Sequence, residues 1–228
     1  MSKIYLCGGN KGGTGKSMLA TALIDAFLQR GVEPLLVETD DANPDVFKAH
    51  GERIQCAALS LDEADGWIEL INSLDKSRGV PVIMNTAARN STGVARYGQT
   101  LKSTLGELGR TMVTMWVINR QRDSLELLAD YLDAMPAGAD HQVHVVRNGY
   151  FGSAEKFQLY NGSQIKQRIE EAGGLTLDFP DLADRVADQM ATQRLTIQGA
   201  LTEMPLGHRA ELIRWRDEAF KVLGQVMT

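Results

Sequence analysis

Cysteine is scarce in this 228-residue chain, which has only Cys7 and Cys56. The two form no CxxC pair and no metal-ligand spacing, and their number fits a reducing cytosol. Cys7 lies in an apolar run and reads as a small buried hydrophobe. No apolar stretch approaches the length of a membrane helix. Met1–Lys3 lead straight into apolar residues with no signal-peptide pattern, so export is not expected and a cytoplasmic location is. Positive charge is not in excess either. Lys and Arg total 24 against 29 Asp and Glu, a net charge of −5. No basic field therefore covers the whole surface, which leaves DNA contact to a local C-terminal patch of Arg194, Arg209, Arg214, Arg216 and Lys221, residues that read first as solvated helix faces. Internal repeats, low-complexity tracts and domain linkers are also missing. One domain over residues 1–228 is expected, mainly helical from about 180.

What is present is an ordinary globular balance, 43% hydrophobic and 23% charged residues, arranged in an alternating rhythm. Ile4–Cys7 is an apolar run that reads as a buried strand. From Lys16 to Arg30 the residues Leu19, Ala20, Leu23, Ala26 and Phe27 recur at helical spacing, and Gly31 closes the helix. Pro34–Val37 is the next strand. The spacing then predicts helices over 61–77, 93–108 and 124–135, with strands over 80–84, 111–118 and 141–146. A long loop with one short helical piece is predicted over 149–162, then a helix over 165–172. Leu175–Leu177 reads as a short edge strand, and 182–227 as mainly helical. Strands alternating with helices predict a three-layer α/β/α sandwich around a mostly parallel sheet.

The segment Lys11-Gly12-Gly13-Thr14-Gly15-Lys16-Ser17 follows the first strand and opens the first helix. The strict pattern GxxxxGK[ST] fails only at its first position, which is Asn10. Its glycines allow backbone conformations that turn successive N–H groups inward as an anion nest. The helix beginning near Lys16 adds its positive end. Lys16 can reach the β- and γ-phosphates of a nucleotide, and the Ser17 hydroxyl can hold Mg²⁺.

This segment resembles the deviant Walker A motif of the ParA/MinD ATPases. The resemblance implies a P-loop fold, ATP with Mg²⁺ as cofactors, and Lys11 as a signature lysine that reaches the nucleotide of a partner subunit. It therefore implies a homodimer formed on ATP binding. Met18 departs from the family's usual Thr and removes one hydroxyl from the phosphate side.

Carboxylates follow the second strand in Glu38-Thr39-Asp40-Asp41-Ala42-Asn43-Pro44-Asp45. Groups beyond the carboxyl ends of such strands can hold magnesium waters or orient an attacking water. The segment is similar to the family's Asp-x-Asp motif. Asp40 matches the acid linked to hydrolysis, and Glu38 stands where Asp is usual. Asn43-Pro44-Asp45 also reads as a turn and the next helix start. The strand Val82-Ile83-Met84-Asn85-Thr86-Ala87-Ala88 resembles the family's Walker B run, with Asn85 in place of its acid. The metal-side set is thus Ser17, Glu38, Asp40 and Asn85, and weaker metal affinity with slow turnover is expected.

Family members read adenine with an Asn after a late strand. Asn148 matches by order along the chain, with Asn119 as the alternative; both also read as turn residues. Phe179–Val186 resembles a segment near the base, or else is a helix started after Pro180 and capped by Asp181. The terminal helix, His208–Val226, aligns Leu212, Trp215, Ala219, Val222 and Leu223 on one face. Its basic charge is diluted by Glu211, Asp217 and Glu218, so core packing is expected and membrane binding is not.

The resemblance implies a ParA-like switch with slow ATP hydrolysis, in plasmid or DNA partition or maintenance, working with a partner protein of a partition or transfer system. Lys11, Lys16 and Asp40 would carry the reaction, and Lys11–Met18 with Asn148 would hold the nucleotide. Two other classes stay open. One is a non-hydrolysing ATP-dependent adaptor, which Asn85 favours. The other is an ATP-dependent ligase of the dethiobiotin or cobyrinate type, which would not need Lys11.

Overall fold

The computed structural model describes residues 2–9, 11–40, 43–87 and 91–227, with Ser91 described in its backbone only. Met1, Asn10, Asp41, Ala42 and Ala88, all named above, lie outside the described residues.

Strand β1 (Ser2–Gly8) leads through the glycine loop into α1 (Lys16–Gln29) and on to β2 (Leu35–Glu38). Helix α2 (Asp45–His50), β3 (Cys56–Ala58) and α3 (Ala64–Lys76) precede β4 (Val82–Asn85). Helix α4 (Ser91–Leu108), β5 (Arg110–Ile118), α5 (Arg122–Ala134) and β6 (His141–Asn148) continue the alternation. The loop expected after β6 holds two 3₁₀ turns, Gly149–Phe151 and Ala154–Lys156, then α6 (Gln158–Asn161). Helix α7 (Gln164–Glu171) returns to β7 (Thr176–Phe179). Helices α8 (Asp184–Gln193), α9 (Ile197–Glu203) and α10 (Leu206–Leu223) follow.

The seven strands form one sheet in the order β3-β2-β4-β1-β5-β6-β7. Every pairing between them is parallel. Helical crossovers make this the natural pairing, because a parallel neighbour needs a connection long enough to return to the same end of the sheet. β7 is an edge strand, as expected; β3, at the other edge, was not foreseen.

Alternation along the strands divides the core. Tyr5 and Cys7 of β1 pack with Leu19 and Leu23 of α1, Met190 of α8 and Trp215 of α10 on one face. Ile4 and Leu6 pack with Leu70 of α3, Leu105 of α4 and Leu128 of α5 on the other. The structure is thus a three-layer α/β/α sandwich. Helix α10 lies in the core layer, with Leu212, Trp215, Ala219 and Leu223 buried.

This architecture brings the carboxyl ends of β1, β2, β4 and β6 to one rim. Gly8, Glu38, Asn85 and Asn148 stand there, each the last residue of its strand. Sequentially remote groups meet at this rim because parallel strands all point the same way.

Candidate functional site

The glycine loop is cinched from within. The Lys11 carbonyl accepts from Lys16 Nζ at 2.9 Å and from Thr14 Oγ1 at 3.2 Å. Gly15 starts α1 in the left-handed region, at φ 102°, with no side-chain cap. A Cβ at Gly15 would stand 2.3 Å from Asn148 Nδ2, so any larger residue collides as well as strains. Gly13 also has positive φ, 73°, but a Cβ there meets nothing within 4 Å. The loop is tight against the protein at Gly15 and open at Gly13.

An uncapped helix start leaves backbone donors without an intrahelical partner and carries partial positive charge. Here the first turn has no acidic residue. Instead Lys16 stands there, 7% exposed. Burial pushes the Lys16 pKa down, and the nearby Asp40 charge offsets this only in part. A half-desolvated cation on top of a positive helix end is poorly matched by the protein alone. An anion such as a phosphate group completes it.

Beside the loop, Glu38 and Asn85 sit opposite one another in the β2–β4 register. Asn85 Nδ2 donates to Glu38 Oε1 at 3.0 Å and Oε2 at 3.2 Å, and lies 3.4 Å from Ser17 Oγ. The Asp40 backbone N–H also donates to Glu38 Oε1, at 3.2 Å. Burial pushes the Glu38 pKa up to about 7, outweighing the hydrogen bonds that favour its charged form. Asn85 Oδ1 is buried without a hydrogen-bond partner. Asp40 accepts from the Asn43 N–H at 3.0 Å, which fixes the chain as it leaves the rim. Two threonines tie the strand ends together: Thr86 Oγ1 donates to the Cys7 carbonyl, and Thr39 Oγ1 accepts from the Ala87 N–H.

Among the described residues no group of three or more His, Cys, Asp and Glu could cage a metal on its own. The residues present do fit Mg²⁺ held jointly with phosphates, an ion that needs few protein ligands and keeps several waters. Ser17 supplies a hydroxyl, Glu38 a carboxylate and Asn85 an unpaired acceptor.

Asn148 Nδ2 donates to the Thr14 carbonyl at 2.8 Å, and Asn148 Oδ1 accepts from the Tyr150 N–H at 3.0 Å. The residue therefore ties β6 to the glycine loop. It also borders a cavity of about 200 Å³ lined by Gly15, Met18, Pro180, Asp181 and Ala187. Trp215 Nε1 donates to the Pro180 carbonyl at 2.9 Å and holds that wall. Asn119 is placed differently. Its Oδ1 accepts from the Gln121 N–H at 2.9 Å, as a turn residue before α5 does. The segment after Pro180 is not capped by Asp181; α8 starts three residues later, at Asp184, with Ala183 as N-cap.

Lys11 is not idle in the single chain. Its ammonium contacts Gln121 Oε1 and, at 2.5 Å, Asp123 Oδ2 at the start of α5. Neither partner was singled out in the sequence, and no local pattern connects them to Lys11. Two of the five C-terminal cations named above are paired with acids. Arg214 pairs with Glu211 and Glu218, and Arg216 with Asp25 of α1. Positive charge at these two positions is balanced by acids of the helix itself and of α1.

A glycine loop between a central parallel strand and an uncapped helix, with a buried lysine at its mouth, defines a P-loop nucleotide-binding protein. The chain belongs to the CobQ/CobB/MinD/ParA nucleotide-binding domain family, whose pattern its residues 6–146 match. It is 55% identical over 224 residues to Protein MobD of Acidithiobacillus ferrooxidans, covering 98% of this chain and 97% of that one. Its fold is similar to that of a plasmid partition protein from Borrelia burgdorferi B31 bound to AMPPNP. That match has a TM-score of 0.62 and 12% identity, and covers 98% of each chain. The MinC:MinD cell division complex of Aquifex aeolicus also shares the fold, with TM-score 0.54, 12% identity and coverage of 100% and 98%. Among the described residues no helix is long and apolar enough to cross a membrane.

Proposed function

We propose that this protein is an ATP-dependent dimer switch of the ParA type, acting in the cytoplasm on plasmid DNA partition or transfer. The observation that carries the reading is the buried Lys16 at the uncapped, acid-free start of α1. Lys16 and the loop amides would hold the phosphates of ATP. Ser17 would face Mg²⁺, which neutralises phosphate charge when bound. Asp40 would orient the attacking water, and the cavity between Asn148 and Pro180 would take the base. Lys11 would leave Asp123 and reach the nucleotide of a second copy. The step from nucleotide site to plasmid DNA is supported by the likeness to MobD and to the partition-protein fold. The partner would be a protein of the same partition or transfer system.

Sizing in solution tests the switch. Wild type with ATP and Mg²⁺ should double in mass, and with ADP it should not. Asp40→Ala should remain dimeric in ATP for longer than wild type. A mass that ignores ATP in both proteins would overturn the dimer reading.

The uncharged Asn85 at the end of β4 supports a second reading, in which ATP closes the dimer without being hydrolysed and the dimer recruits its partner. Phosphate release separates the two: turnover abolished by Asp40→Ala excludes the adaptor.

A further inference from the structure

Strand β4 ends in an amide where a P-loop site needs a negative charge near the metal. The neighbouring strand ends in a carboxyl group. Glu38 and Asn85 are register partners across the parallel β2–β4 pair. Parallel strands stand about 4.8 Å apart, a gap that a glutamate side chain spans more readily than an aspartate. Both residues are buried, Glu38 at 1% and Asn85 at 2% exposure. Among the described residues no ion pair neutralises Glu38.

The amide is oriented by this contact. Its only donor atom, Nδ2, faces both carboxylate oxygens and Ser17 Oγ. That leaves Oδ1 buried and unpaired, an expense a folded protein rarely leaves uncompensated. An unpaired acceptor beside a buried carboxylate and a hydroxyl suits a hydrated cation, whose waters donate hydrogen bonds.

We propose that, with an amide ending β4, Glu38 at the end of β2 carries the metal-side charge of this protein and Asn85 is its positioning residue. This rests on the reading of the loop as a magnesium–nucleotide site and assigns the charge within it. Asn85 fixes the Glu38 rotamer through two hydrogen bonds and keeps the carboxylate beside Ser17. The pair is expected to be interchangeable as a unit, with one acid and one amide, but not residue by residue.

The test is the binding of a fluorescent N-methylanthraniloyl ADP in EDTA and in excess Mg²⁺. Wild type should bind more tightly with Mg²⁺. Glu38→Gln should lose about tenfold or more of that Mg²⁺-dependent gain, and Asn85→Ala about tenfold. A cooperative thermal transition in each variant shows that it folds. The double variant Glu38→Gln/Asn85→Asp, with acid and amide exchanged, should recover most of the gain. Glu38→Gln with a full Mg²⁺ gain, or a double variant no better than the single one, would overturn the exchange while leaving the nucleotide site standing. Failure of wild type to bind in either buffer would overturn the nucleotide site and this proposal together.

Discussion

The Lys11 ammonium lies 2.5 Å from the Asp123 carboxylate of its own chain, 112 residues away in sequence. Both side chains are partly solvent-exposed, at 34% and 51%. An exposed pair of this kind is screened by solvent, so it is a latch that opens easily. If Lys11 must leave Asp123 to meet a second subunit, breaking the latch favours the dimer. Asp123→Ala should lower the ATP concentration for half-dimerisation by up to about fivefold. Analytical ultracentrifugation across an ATP series reads this. A variant that needs more ATP than wild type would show that Asp123 serves the dimer rather than the resting chain.

Lys16 should separate binding from stability. Replacing it with Ala removes a charge-assisted contact to phosphate, a loss of about 1.5–3 kcal/mol, or roughly tenfold to a hundredfold in affinity. It also removes a cation whose burial and position at a positive helix end both oppose folding. Calorimetry should therefore report weaker ATP binding, while the apo protein melts at the same temperature or higher. A lower melting temperature would mean that the bond to the Lys11 carbonyl outweighs the cost of burying the charge.

Three buried histidines set the acid limit of the fold. Burial pushes His50, His141 and His144 down to about 4 each. An unfolded chain titrates them near 6.5. Between those values the unfolded state binds more protons than the folded state, so stability rises with pH. It is complete above about 6.5 and lost as pH falls toward 4. Each histidine accounts for up to about 3 kcal/mol. Neither ring nitrogen of His50 has a hydrogen-bond partner, and the nearby Asp25 charge offsets its burial only in part. Urea midpoints measured from about pH 7 to pH 4.5 should fall steadily. A flat profile would mean that these rings become charged without leaving the core.

Local chemistry was the legible part of this protein. Ile4–Cys7, the glycines and the apolar spacing from Leu19 to Phe27 specify strand, loop and helix from neighbours alone. β3 was not legible: Cys56-Ala57-Ala58 has no β-branched or aromatic residue, and only pairing with β2 makes it a strand. The candidate site was legible as a list of residues but not as an arrangement. Glu38 meets Asn85 because β2 lies beside β4, and strand order is not written in any local pattern. Lys11 meets Asp123 for the same kind of reason. The C-terminal arginines were legible as charges but not as pairs, since the partner of Arg216 is Asp25, 191 residues away.

The indole of Trp215 hangs from α10 and grips the Pro180 carbonyl, on the rim of the hollow beside the glycine loop. The last helix is therefore a wall of that hollow, not a trailing appendage. The same helix also backs α1 through its buried Trp215 and the Arg216–Asp25 pair, so cutting the chain ahead of it would bare the core beneath the glycine loop together with that wall. A shortened protein of this kind is expected to lose its fold outright.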